Sequence, residues 1–264
     1  MLTGKAIQPG DAYHTADDYS LTGLLGNKNG YAIVSSGDGS FSINNSDCGT
    51  RLLSILTKQI ISAGGNCMSS DLFTQLIIFK IKELVKLTGI DPRCFDASLS
   101  SLWTNERTFS VNIYGNGMFF HKNDTCLRIV DIDSGIEKPG YISYNLSEDR
   151  MVEFLKRAKK RQCIDTTYDL RSNRIASTKT SNLNPLEKFS TTGNISSGSI
   201  IGVATSGMSR FYKGEVRINS HNLLRDFLEL DNFLLQMRMS KMKIKWASSG
   251  IYHPNDIAIG AIKI

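Results

Sequence analysis

Paired cysteines, clustered histidines and long apolar runs are all missing from this chain of 264 residues. Cys48, Cys67, Cys94, Cys126 and Cys163 stand singly, without C-x-x-C spacing or neighbouring histidines, which excludes a zinc ribbon and a disulfide framework. They are expected as free thiols. His14, His121, His221 and His253 show no ligand spacing either. No apolar stretch of about 18 residues occurs, and no basic segment followed by an apolar one opens the chain. Neither a membrane-spanning helix nor a cleaved secretion signal is therefore expected, and the expected setting is the cytoplasm. A Gly-x-Ser-x-Gly elbow and a P-loop are also lacking, so nothing supports serine-nucleophile or P-loop chemistry.

What is present is enough apolar material, 41% of residues with 9% aromatic, for the core of one large domain. The formal charge of +6 favours acidic partners in a general way. Much of the excess lies in Lys156-Arg157-Ala158-Lys159-Lys160-Arg161 and around Arg238, Lys241, Lys243 and Lys245. Such runs at helix ends read as solvated faces that complement the helix dipole, so nucleic acid is not the expected partner.

The periodicities predict a strand over 29–36 and helices over 49–63 and about 70–88, the helices from apolar residues at three- and four-residue spacing. An antiparallel meander is expected over 107–114, 118–121 and 126–132. A helix follows over 147–161 with Met151, Phe154 and Leu155 inward, then a buried strand over 200–205. One or two helices are expected within 217–235, and a β-branched final strand over 256–264. Residues 171–198, rich in Ser, Thr and Asn, read as a long loop or flap. Strands and helices in runs rather than in alternation predict an α+β layered architecture.

Four glycine-bearing turns punctuate this pattern: Val34-Ser35-Ser36-Gly37-Asp38-Gly39-Ser40, Ile113-Tyr114-Gly115-Asn116-Gly117, Val203-Ala204-Thr205-Ser206-Gly207-Met208-Ser209-Arg210-Phe211, and Pro254-Asn255-Asp256 leading into the last strand. Their order and spacing resemble the metal-binding loops of the protein phosphatase 2C family, in its bacterial-type branch. Cys48-Gly49-Thr50-Arg51 and Pro139-Gly140-Tyr141-Ile142-Ser143-Tyr144-Asn145-Leu146 are similar to further segments of that branch, and Ala16-Asp17-Asp18 to its N-terminal acidic triplet. The resemblance runs from about residue 10 to the end of the chain. It implies one domain over 1–264, a four-layer α-β-β-α sandwich of two antiparallel sheets flanked by helices.

It also implies that the family's metal-ligand aspartates are replaced here, by Ser36, Asn116, Ser206 and Asn255, with Gly37 kept beside the first. The family ionises a bridging water with two manganese or magnesium ions, which are held by carboxylates. Neutral side chains in all four places imply no catalytic residue, no metal and no cofactor. Asp17, Asp18, Asp38 and Asp256 are the acids that remain near the loops. Asp38 is expected to serve its turn, and Asp256 to begin the last strand pointing away from the side that Asn255 lines. The family often grips phosphate with an arginine near its N-terminal acids, whereas the first arginine here is Arg51. Arg210, following Ser206-Gly207, is the candidate phosphate contact.

Three readings follow. One is a pseudophosphatase that binds a phosphoprotein or other protein partner and regulates it. A second is a working phosphatase using manganese or magnesium at a rearranged site. A third is a structural interaction domain whose cleft takes no ligand.

Overall fold

A computed structural model describes residues 1–11, 17–26, 28–37, 46–64, 68–133, 135, 139–228 and 234–264. The elements run β1 (Leu2–Gln8), β2 (Tyr19–Leu25), β3 (Asn29–Gly37), α1 (Ser46–Gly64), α2 (Ser70–Thr88), β4 (Ala97–Asn105), β5 (Thr108–Tyr114), β6 (Gly117–Lys122), β7 (Cys126–Asp133) and α3 (Glu148–Arg157). They continue with β8 (Arg161–Asp169), β9 (Arg174–Leu183), β10 (Phe189–Asn194), β11 (Ile200–Ala204), β12 (Phe211–Lys213), β13 (Val216–Ile218), α4 (Ser220–Leu228), α5 (Leu235–Ser248), β14 (Ile251–Tyr252) and β15 (Ile257–Lys263).

The strands build a seven-stranded sheet in the order β1-β15-β11-β6-β7-β8-β9, a five-stranded sheet β10-β5-β4-β3-β2, and a small sheet β13-β12-β14. Side-chain alternation then sorts residues into three apolar layers. Ala32, Val34, Val111 and Ile113 of the five-stranded sheet meet Phe119, Val130, Ile201, Val203 and Ile262 of the seven-stranded sheet between the two. Ile33, Leu99 and Trp103 face the other way, onto Leu53 and Ile61 of α1 and Phe73, Ile77 and Ile81 of α2. Met118, Phe120, Ala204 and Ile259 face Leu224 and Phe227 of α4 and Met239 and Trp246 of α5. The result is the expected α-β-β-α sandwich.

Several boundaries differ from the sequence reading. Residues 171–198 are not a structureless flap: β9 extends the larger sheet, and β10 pairs with β5 in the smaller one. Every β9 residue but Leu183 is exposed, so no apolar alternation betrays it. The α3 helix stops at Arg157, and Arg161 opens β8, where it is buried. Leu155 is exposed rather than inward, while Met151 and Phe154 are half-buried. The late helices span 220–228 and 235–248, beyond the expected limit at 235. Cys48, Cys94, Cys126 and Cys163 are free thiols; Cys67 and His14 lie outside the described residues. No described helix is long and apolar enough to cross a membrane.

Candidate functional site

The loops that leave β3, join β5 to β6, follow β11 and precede β15 meet at one end of the sandwich. They line a cleft of about 200 Å³. Ser36 and Gly37 enter from β3, Asn116 from the β5–β6 turn, Ser206 and Gly207 from the turn after β11, and Asn255 from the approach to β15. Asp17, Asp18, Asp256 and Arg210 line the same cleft, whereas Asp38 lies outside the described residues.

Two glycines show why these turns are built as they are. Gly115 sits at φ +77°, in the left-handed region, where a side chain would also strike Ser98. A Cβ on Gly207 would lie 1.8 Å from the backbone oxygen of Asp256, so the two loops close on each other only because that side chain is absent. The Ser98 hydroxyl in turn accepts the Asn116 N–H at 3.0 Å and fixes the β5–β6 turn.

Asp256 corrects the sequence reading. The last strand begins at Ile257, so Asn255 and Asp256 precede the pleat and both reach the cleft. The Asp256 carboxylate clasps the N-terminal segment: Oδ1 accepts the Gly10 N–H at 2.8 Å and Oδ2 the Asp17 N–H at 2.6 Å. Asp18 is buried beside it, and desolvation pushes its carboxyl up to about 7 from the ordinary 3.8. The Ser36 and Thr205 hydroxyls pull the other way, and Asp256 and Asp17 add to the rise as like charges. Its Oδ2 has no hydrogen-bond partner among the described residues.

Arg210 turns to Asp133 at the end of β7, 3.1 Å away, and Arg217 lies 3.7 Å from the same carboxylate. Below them burial pushes the Asp131 carboxyl up to about 6, with Asp133 as a further cause and the two arginines opposing it. Arg210 is thus held at the cleft with its charge shared.

This donor set does not fit a dinuclear centre. Two divalent ions bring four positive charges, and hard cations of that kind are held chiefly by carboxylates. Ser36, Asn116, Ser206 and Asn255 offer uncharged oxygens, and Asp256 is engaged by two backbone N–H groups. Among the described residues no group of three or more His, Cys, Asp or Glu side chains is disposed to hold a metal ion.

Sequence reasoning did not single out Thr205, Ser98 or Tyr141. Thr205 and Tyr141 stand inside segments whose resemblance was noted, and their position there was the available signal. Ser98 lies in a buried strand and carries none.

Two antiparallel sheets packed face to face, each covered by a helix pair, with the strand connections gathered over one end, define the protein phosphatase 2C fold. Solved phosphatases of the PPM type share it over the whole chain. The serine/threonine phosphatase Stp1 from Staphylococcus aureus superposes with a TM-score of 0.58 at 9% identity, covering 99% of this chain and 94% of that one. The serine/threonine phosphatase PstP/Ppp of Mycobacterium tuberculosis gives 0.55 at 12% identity, covering 99% and 98%. PppA, a key regulatory component of T6SS in Pseudomonas aeruginosa, gives 0.55 at 13%, covering 99% and 96%. No protein-family model matches the sequence, and no curated protein matches it either.

Proposed function

We propose that this chain is a phosphatase 2C-fold domain that acts by binding rather than by turnover: a pseudophosphatase that holds an acidic or phosphorylated segment of a protein partner and regulates that partner. The observation that carries the reading is the charge of the cleft. Four neutral side chains stand where the resemblance implies ligand carboxylates; of the acids that remain, burial pushes Asp18 up to about 7 and Asp256 accepts two backbone N–H groups. With four carboxylates fewer than the resemblance implies, the cleft needs less added cation to admit an anion, although Asp17 and Asp256 still carry charge there. Arg210 supplies the cation, and the backbone N–H groups of the glycine turns supply further donors. PppA, described as a regulatory component, shares the fold. Unpaired thiols at Cys48, Cys94, Cys126 and Cys163 suit a reducing compartment, and we assign the protein to the cytoplasm on that ground.

A second reading, a phosphatase with a rearranged metal site, draws on the three carboxylates of Asp17, Asp18 and Asp256 lining one cleft. Phosphopeptide hydrolysis and thermal melting with chelator, manganese and phosphopeptide separate the two. Binding without turnover predicts negligible hydrolysis in millimolar manganese, a melting temperature insensitive to chelator, and a phosphopeptide-induced rise that Arg210→Ala removes. Manganese-dependent turnover lost in Asp18→Ala would establish the enzyme instead.

A further inference from the structure

A second recess, of about 220 Å³, opens beside the cleft. Tyr141 lines both, with Pro139 on the cleft side of it and Gly140 on the other. The dividing segment is firmly seated. A Cβ on Gly140 would lie 1.9 Å from the Pro185 carbonyl oxygen, so its backbone rests directly on the chain that leads into β10. That chain supplies Leu186 and Lys188 to the recess, while Tyr114 at the end of β5 and Thr74 near the start of α2 supply hydroxyls.

The hydrogen bonds around Thr74 leave a defined capacity unspent. Thr74 has one hydroxyl proton, and it goes to the Ser70 carbonyl at 2.8 Å, an oxygen that can only accept. The 2.8 Å bond between the Tyr114 and Thr74 hydroxyls must then be donated by the tyrosine. Lys188 Nζ, at 2.9 Å, donates to the other lone pair of the same Thr74 oxygen, which is thereby saturated. Tyr114 is buried, and burial raises its pKa and keeps that proton in place, so its oxygen is left as an acceptor. Lys188 gives a second proton to Asp71 at 2.5 Å and retains a third, its charge matched by that carboxylate.

One acceptor and one donor thus converge on the recess. A carboxylate entering it would meet the Tyr114 lone pairs with no proton to offer, and an ammonium would meet Lys188. A primary carboxamide carries both an N–H for Tyr114 and a carbonyl for Lys188, and its apolar stem fits against Ile142 and Leu186. The volume falls below the roughly 300–1,000 Å³ of pockets that enclose free organic ligands, and suits a single side chain.

We infer that this recess is a specificity pocket for a primary carboxamide side chain, glutamine or asparagine, next to the phosphate in the partner segment that the cleft holds. The inference rests on the binding reading of the cleft for its partner, and on Tyr114, Thr74 and Lys188 for its chemistry.

Two measurements on the full chain test it. Butyramide and butyrate, at high millimolar concentration, carry the competing side-chain groups without a phosphate. Butyramide should shift the NMR signals of Thr74 and Tyr114 in the parent and in Arg210→Ala, and butyrate should not. In calorimetry, phosphoserine peptides with glutamine at successive positions about the phosphate should include one that binds about tenfold more tightly than its glutamate or alanine counterpart. Tyr114→Phe should remove that preference, and if it fails to fold, Lys188→Met carries the same expectation. Should no phosphopeptide bind while butyramide still shifts Tyr114, the cleft reading falls and the ligand class of the pocket stands. Phosphopeptide binding with no preference for glutamine at any position would overturn the pocket and leave the cleft reading in place. So would a butyramide shift that is absent or that butyrate equals.

Discussion

Burial holds a proton on Asp18 up to about pH 7, against an ordinary 3.8. Between those values the folded chain binds more protons than the unfolded one. The contribution of the neutral carboxyl is thus fully present below about pH 4 and is lost as pH rises through about 7. At 1.36 kcal/mol per pH unit that gap corresponds to about 4 kcal/mol, and water reaching the cleft lowers it. Asp18→Asn keeps the shape without the charge. It should raise stability at pH 8 by about 2 kcal/mol and flatten the fall between pH 4 and 7, as read from denaturant melts across pH. An unchanged pH profile would show that Asp18 ionises freely. The four neutral positions of the cleft were legible as residues because turn chemistry is local. The clasp of Asp256 was not, because its partners are backbone groups at Gly10 and Asp17, more than two hundred residues away in sequence.

Elements vary in how firmly they are seated. The α1 helix lies so close to the Pro92–Phe95 turn that a Cβ on Gly49 would stand 1.6 Å from the Cys94 oxygen. Since backbone, not a flexible side chain, blocks the way, Gly49→Ala should cost about 3 kcal/mol in equilibrium unfolding, the upper range for overpacking. The α3 helix buries no residue and is held from outside. Arg150 grips Asp96 through two bonds of 2.7 and 2.8 Å, and Phe154 stacks on Tyr144 at 4.4 Å. Asp96→Ala should therefore speed hydrogen exchange in α3 while leaving α1 and α2 protected, because it strands one cation and removes the tether. Elements with one apolar face, such as α1, α2 and β5, were legible from periodicity. Both β9 and β10 escaped it: their Ser and Thr residues suit a strand by branching or size but make no hydrophobic alternation.

On the scale of the whole molecule, the sandwich separates two environments along one set of strands. The β6, β11 and β15 strands run from the cleft at one end to a cavity lined by Lys122, Ile200 and Lys263 at the other. The layered architecture followed from the run of strands and helices, and the family resemblance of the four turns implied a common end for their residues. The cavity was invisible to that reading, because Lys122 and Lys263 are far apart in sequence and become neighbours only through their shared pairing with Ile200. The same sheet ends at β9, whose outer backbone row has no partner among the described strands. Ten residues of open edge form a template on which a second chain can add a strand, and charge is the usual guard against it. Here the guard is thin: Arg174 and Lys179 are the only charged residues of the strand. Replacing both with valine should turn a dispersed protein into one that self-associates with concentration, visible by light scattering. Colloidal behaviour would then rest on two side chains that touch neither the core nor the cleft.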